Sequence, residues 1–238
     1  MPNNVVNNFK IRSELNPKLW QNDKLRSEVR TILLKIAVDV IKSLELETSL
    51  DDITFTGSLA NYNYSKYSDI DLHIILNFNV IDENETLVRD FLLAKKTLWN
   101  DMHEIKIRGA EVEIYFENIG DPHHSTGIYS VLDNNWIKKP LPSDPDTIID
   151  LHAVMQKAND LISQINYVIS LPIEDKLETI ETLQAKIKRM RKCGLETEGE
   201  YSVENLAFKV LRNEGHIRRL WDEAIKTEDE LLSLESIQ

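Results

Sequence analysis

The chain has 238 residues, 42% apolar and 29% charged, a globular balance long enough for one large domain or two small ones. Its formal net charge of −12 excludes broad, sequence-blind nucleic-acid binding, because polyanion affinity comes from Lys and Arg displacing counterions; only local RNA contact through a basic groove stays open. The single cysteine, Cys193, excludes an intrachain disulfide and a thiolate metal cage.

No stretch approaches the ~20 apolar residues of a membrane span and the start lacks a basic-then-apolar leader, so a cytoplasmic protein with no membrane partner is expected.

From Pro17 to about Glu45, the spacing of Leu19, Leu25, Val29, Leu33, Ile36, Val40, Ile41 and Leu44 predicts an amphipathic helix, with Asn16-Pro17 as its start. A short strand follows over Asp52–Thr56 and ends at Gly57. In "SDIDLHIILNF", Ile70, Leu72, Ile74 and Leu76 alternate with Asp69, Asp71, His73 and Ile75, the pattern of a strand with one buried face. Helical spacing returns from about Glu83 to Glu104 through Leu87, Phe91, Leu92, Lys95 and Trp99. "AEVEIYFEN" then alternates strictly, with Val112, Ile114 and Phe116 on one face and Glu111, Glu113 and Tyr115 on the other.

The stretch from Gly120 to Asp146 reads as a connecting loop with a short strand at Ile128–Leu132. Beyond it the pattern is helical: one helix from about Thr147 to Leu171, a second from Ile173 to Cys193 closed by Gly194, and a third from near Ser202 that breaks once before Ser236. The expected plan is an α/β core with an N-terminal helix over 1–140 and a helical C-terminal domain over 141–238.

Two acids at i and i+2 on a strand project from one face, where like charges repel unless a cation sits between them. A divalent ion answers that need, and Mg²⁺ prefers oxygen ligands that it shares with phosphates. Asp69 and Asp71 are therefore candidate metal ligands, and Glu113, on a strand of suitable character, is a candidate third; Glu111 shares its face. Gly57-Ser58 reads as a glycine turn leading into a helix, whose backbone N–H groups, dipole and serine hydroxyl would hold phosphate.

These residues resemble the polymerase-β-type nucleotidyltransferase superfamily: "GS", ten residues, "DID", an apolar strand and a later strand acid. In order, "LNPKLW", "GSLANYNYSKYSDIDLHI", "HHSTGIYSVLDNNWIKKP" and "EYSVENLAFKVLRNEGHI" are also similar to predicted nucleotidyltransferases of tailed bacteriophages. Where many small members have a glycine soon after the turn, this chain has "ANYNYSKY". The resemblance implies a mixed sheet flanked by helices, with a helical domain after it. It further implies transfer of a nucleoside monophosphate from an NTP to an acceptor hydroxyl, with Mg²⁺ or Mn²⁺ as cofactor and pyrophosphate as product. Asp69, Asp71 and Glu113 would be catalytic and metal-binding. Gly57 and Ser58 would grip the β/γ-phosphates, aided by basic residues such as Lys209 and Arg212. The acceptor is left open among RNA or tRNA, protein, a small molecule and a second nucleotide. An alternative is a catalytically silent nucleotide- or partner-binding protein on the same fold.

The remaining chemistry-bearing residues have plainer readings. His73 lies deeper on the strand, as a hydrogen-bonded core histidine. His123-His124 is a loop pair without a third metal ligand at convincing spacing. Tyr129 and Trp136 read as core aromatics rather than base-stacking platforms. The run "KIKRMRK" (Lys186–Lys192) spreads around its helix, where cations near a C-terminus are expected from the dipole alone.

Overall fold

A computed structural model describes residues 9–10, 12–46, 48–123, 125–142 and 149–233. The chain divides into two compact units, Lys10–Pro145 and a second made of Met1–Phe9 with Asp146–Gln238. The division falls at residue 145, and Phe9 belongs with the helical unit, where it packs against Val154, Ala158 and Leu206. The architecture is mixed α/β, a sheet unit with flanking helices and a unit built of helices.

The sheet unit begins with a hairpin, not a helix. Strands β1 (Trp20–Gln21) and β2 (Lys24–Leu25) pair antiparallel across Asn22 and Asp23, which adopt φ of 51° and 61°. Two-residue hairpin loops demand positive φ, and Asn and Asp tolerate it, so the turn chemistry overrides the helical spacing of Leu19 and Leu25. Helix α1 starts ten residues later than expected, at Ser27, and runs to Leu44. Both leucines are buried all the same.

Strands β3 (Leu50–Thr56) and β4 (Ile70–Leu76) pair antiparallel. Short helix α2 (Phe78–Ile81) and helix α3 (Glu85–Met102) follow, α3 being capped by the Asn84 side chain accepting from the Leu87 N–H. On α3 the buried positions are Val88 and Leu92, with Phe91 and Trp99 partly buried; Leu87, expected on the inner face, is exposed. Strand β5 (Lys106–Ile107) turns through Arg108 and Gly109, both at positive φ, into β6 (Ala110–Asn118). Strands β7 (Ile128–Ser130) and β8 (Asn135–Lys138) complete a six-stranded sheet of order β5-β6-β4-β3-β7-β8. Only β4 and β6 run parallel among these pairs.

Alternation along β4 sends Ile70, Leu72, Ile74 and Leu76 fully into a core shared with Val29, Leu33 and Val40 of α1 and Val88 and Leu92 of α3. Burying each such side chain contributes about 1.5–3 kcal/mol. Tyr129 is fully buried, and Trp136 stacks on Trp20 at 4.7 Å, so both serve the core. Trp20 in turn donates from Nε1 to the Leu59 carbonyl at 2.7 Å, which ties this aromatic cluster to the Gly57-Ser58 turn.

In the helical unit, α4 (Leu151–Ile169), α5 (Ile173–Thr197), α6 (Val203–Asn213) and α7 (His216–Leu232) pack through Leu161, Ile165, Ile180, Ile187, Leu211 and Leu220. The helix start expected at Thr147 and the end near Ser236 lie outside the described residues. The break between α6 and α7 falls at Gly215, φ +79°. Gly194 does not close α5, which continues to Thr197. Its role is close approach: a Cβ there would sit 2.6 Å from Glu204 Cβ and 2.7 Å from Ser202 Oγ. Gly194→Ala is therefore expected to destabilise the chain by about 1–3 kcal/mol despite alanine's better helix propensity, a sign that urea denaturation would read directly.

Candidate active site

The site is assembled by strand register. In the parallel β4–β6 pair, Asp71 stands opposite Glu113; in the antiparallel β3–β4 pair, it stands opposite Thr56. Asp69 immediately precedes β4 on the same side. Oxygen atoms of Asp69, Asp71 and Glu113 lie within 4.8 Å of one another, and all three residues are half-buried. Glu111 pairs instead with Lys106 on β5 and is exposed, so register separates the two glutamates that alternation alone leaves equivalent.

Strand β3 ends at Thr56, which places Gly57 beside Asp71. Gly57 has φ +77° and ψ −166°, a region essentially reserved for glycine, and a Cβ there would fall 1.8 Å from Asp71 Oδ2. The turn leads into a single 3₁₀ turn, Ser58–Ala60, rather than the helix expected from the sequence; a span so short carries no useful macrodipole. What remains for an anion is backbone N–H groups and hydroxyls. Ser58 Oγ donates to Ser68 Oγ at 2.7 Å, and Ser68 Oγ also accepts from the Ser65 N–H at 2.9 Å. The hydroxyl expected to face phosphate thus stitches the turn to the segment leading into Asp69.

Tyr115, on the acid face of β6 but given no role by the sequence reading, donates its hydroxyl to Glu113 Oε2 at 2.6 Å. Burial, with the hydrogen bond to Glu113 and the charges of Glu113, Asp71 and Asp69, pushes its phenol far above the usual tyrosine range, so it remains a donor. Its ring stacks on His73 at 4.7 Å, and Lys96 Nζ lies 4.3 Å from the ring centroid. Period-2 alternation from Glu113 was the available signal. Tyr115→Phe should keep the packing while releasing Glu113, with divalent-ion affinity falling about 10–100-fold by isothermal titration.

His73 is hydrogen-bonded, as its position on the strand suggested: Nδ1 meets Glu117 Oε1 at 2.8 Å and Nε2 meets Thr56 Oγ1 at 3.1 Å. His123 also reaches Glu117, Nε2 to Oε2 at 3.4 Å; His124 lies outside the described residues.

Gly57, Ser58, Asp69, Asp71 and Glu113 all belong to the sheet unit, whereas Lys209 and Arg212 lie on α6 of the helical unit. Much of the basic run on α5 has structural work there: Lys188 lies over Trp221, Arg191 over Phe208, and Lys186 donates to Gln164.

No protein-family model and no curated protein matches the chain. Among solved structures, the chain is similar to a STING-associated CdnE c-di-GMP synthase from Capnocytophaga granulosa, at 15% identity over 100% of this chain and 99% of that one, with a TM-score of 0.23. No helix among the described residues is long and apolar enough to cross a membrane.

Proposed function

We propose that the chain is a metal-dependent nucleotidyltransferase that moves a nucleoside monophosphate from an NTP to an acceptor hydroxyl and releases pyrophosphate. The observation that carries this reading is the convergence of Asp69, Asp71 and Glu113 beside the Gly57 turn. An all-oxygen, half-buried donor set fits a hard divalent cation, Mg²⁺ or Mn²⁺, and suits it better than a softer metal. Such an ion, when bound, would neutralise charge on the phosphates and lower the pKa of the attacking hydroxyl.

The chain's own residues supply the rest. Asp69 and Asp71 hold the donor oxygens on one strand face, and Glu113 adds a third and takes the proton of the acceptor hydroxyl. Tyr115 fixes the Glu113 carboxylate through Oε2. The backbone of the Gly57-Ser58 turn approaches the β/γ-phosphates, glycine allowing contact that a side chain would block. The resemblance to predicted bacteriophage nucleotidyltransferases supports the same chemistry, acting in a host cytoplasm.

The test is incubation with each α-³²P-labelled NTP, Mg²⁺ or Mn²⁺ and host-cell lysate, beside Asp69→Ala/Asp71→Ala. Label moved to RNA, protein or a small product only by the intact chain would establish the transfer and give the acceptor class. NTP binding with neither transfer nor pyrophosphate release would leave a silent nucleotide-binding protein.

A further inference from the structure

A second group of metal-ligating side chains lies on the same sheet face, one register step from the carboxylates. His73 follows Asp71 by two residues on β4, Glu117 follows Tyr115 by two on β6, and His123 comes from the chain beyond β6. One ligand atom from each lies within 4.8 Å of the others. The side chains are only 13%, 26% and 17% exposed.

Two imidazoles and one carboxylate make a nitrogen-rich set, unlike the all-oxygen set nearby. With bonds of about 2.0–2.1 Å, tetrahedral ligands stand about 3.3 Å apart. The Glu117 oxygens lie 2.8 Å from His73 Nδ1 and 3.4 Å from His123 Nε2, and the two imidazoles, within 4.8 Å of each other, close the set by a movement of at most about 1.5 Å. A supporting shell is already present. Thr56 Oγ1 meets His73 Nε2 at 3.1 Å, and can accept a hydrogen bond from the Nε2–H while Nδ1 ligates. Tyr115 stacks on the His73 ring and fixes its plane. His123 Nδ1 accepts from the Ser125 N–H at 3.3 Å, a long bond that is given up when the ring carries its proton on Nδ1 and ligates through Nε2.

We infer that His73, Glu117 and His123 form a second metal site that takes a zinc-class divalent ion and pins the chain beyond β6 to the sheet beside the carboxylate site. Imidazole with a single carboxylate selects Zn²⁺, Co²⁺ or Ni²⁺ over Mg²⁺. Three protein ligands leave a fourth position for water or another donor. The inference stands independently of nucleotidyl transfer.

Co²⁺ reports the site directly, because a tetrahedral nitrogen-containing environment gives an intense visible absorption that an octahedral oxygen site does not. The 238-residue chain should show this band at one equivalent and lose it when Zn²⁺ is added. Asp69→Asn/Asp71→Asn should retain the band. His123→Ala and Glu117→Gln should each abolish it and weaken Zn²⁺ binding at least about tenfold, with far-ultraviolet circular dichroism confirming the fold. Glu117→Gln keeps the side-chain shape and carries the test should His123→Ala fail to fold. A wild-type chain without the band, a band unchanged in a folded His123→Ala or Glu117→Gln chain, or a band lost only with the aspartates would each overturn the site.

Discussion

Asp71→Asn is expected to reduce the proposed NMP transfer on the order of 10³-fold, the range found when a group that stabilises transition-state charge is removed. Asn retains the shape and one oxygen acceptor, so packing against Gly57 and Thr56 changes little. What disappears is one of three negative charges whose oxygens lie within 4.8 Å of one another. In metal-free buffer that removal relieves repulsion, and the variant should melt higher than wild type by the equivalent of about 1 kcal/mol, after allowing for solvent screening of half-buried groups. In Mg²⁺ the order reverses. A native-state ligand at about 100 times its Kd stabilises by roughly 2.7 kcal/mol, and only the wild type keeps a complete site. Thermal melts with and without Mg²⁺, beside a pyrophosphate-release assay, would check both signs. A variant with unchanged Mg²⁺ response would remove Asp71 from the proposed metal site.

Gly57→Ala should be nearly as damaging, for a steric reason. The φ of +77° with ψ of −166° costs a non-glycine residue about 1–3 kcal/mol. Added to this, the new Cβ would meet Asp71 Oδ2 at 1.8 Å, so either the turn or the carboxylate must move. Displacement of about 1 Å at a reacting centre costs on the order of 100-fold in rate, and that loss is expected even in molecules that remain folded. Gly120→Ala is the control. Its φ is +85° but nothing lies within 4 Å of the added Cβ, so it carries conformational strain without the collision. Urea denaturation of both variants should show a larger loss for Gly57→Ala, and only that variant should lose transfer activity. Equal effects would mean that backbone strain, not the contact with Asp71, is what glycine avoids.

Local pattern sufficed wherever one periodicity ruled a segment. Alternation in "IDLHIIL" and "AEVEIYFEN" is enforced by burial of one face, and the helical spacing of Val29, Leu33, Ile36 and Val40 by packing against the sheet. It failed where a turn outweighed spacing. Asn22 and Asp23 accept the positive φ of a hairpin, so Leu19 and Leu25 enter the core without a helix. Gly194 looked like a helix stop because the crowding from Ser202 and Glu204 that requires it comes from another part of the chain.

The amino-acid sequence by itself determined which side chains share a face: Asp69 with Asp71 and His73, Glu113 with Tyr115 and Glu117, since successive strand residues point to opposite sides whatever the neighbours. Only tertiary structure decided which of those faces meet. The parallel register of β4 with β6 sets Glu113, not Glu111, across from Asp71, and His73 across from Tyr115. It also brings His123 to Glu117 and His73, a juxtaposition across fifty residues of chain that no local spacing encodes, because hydrogen-bond register between distant strands is fixed by the packing of the whole sheet.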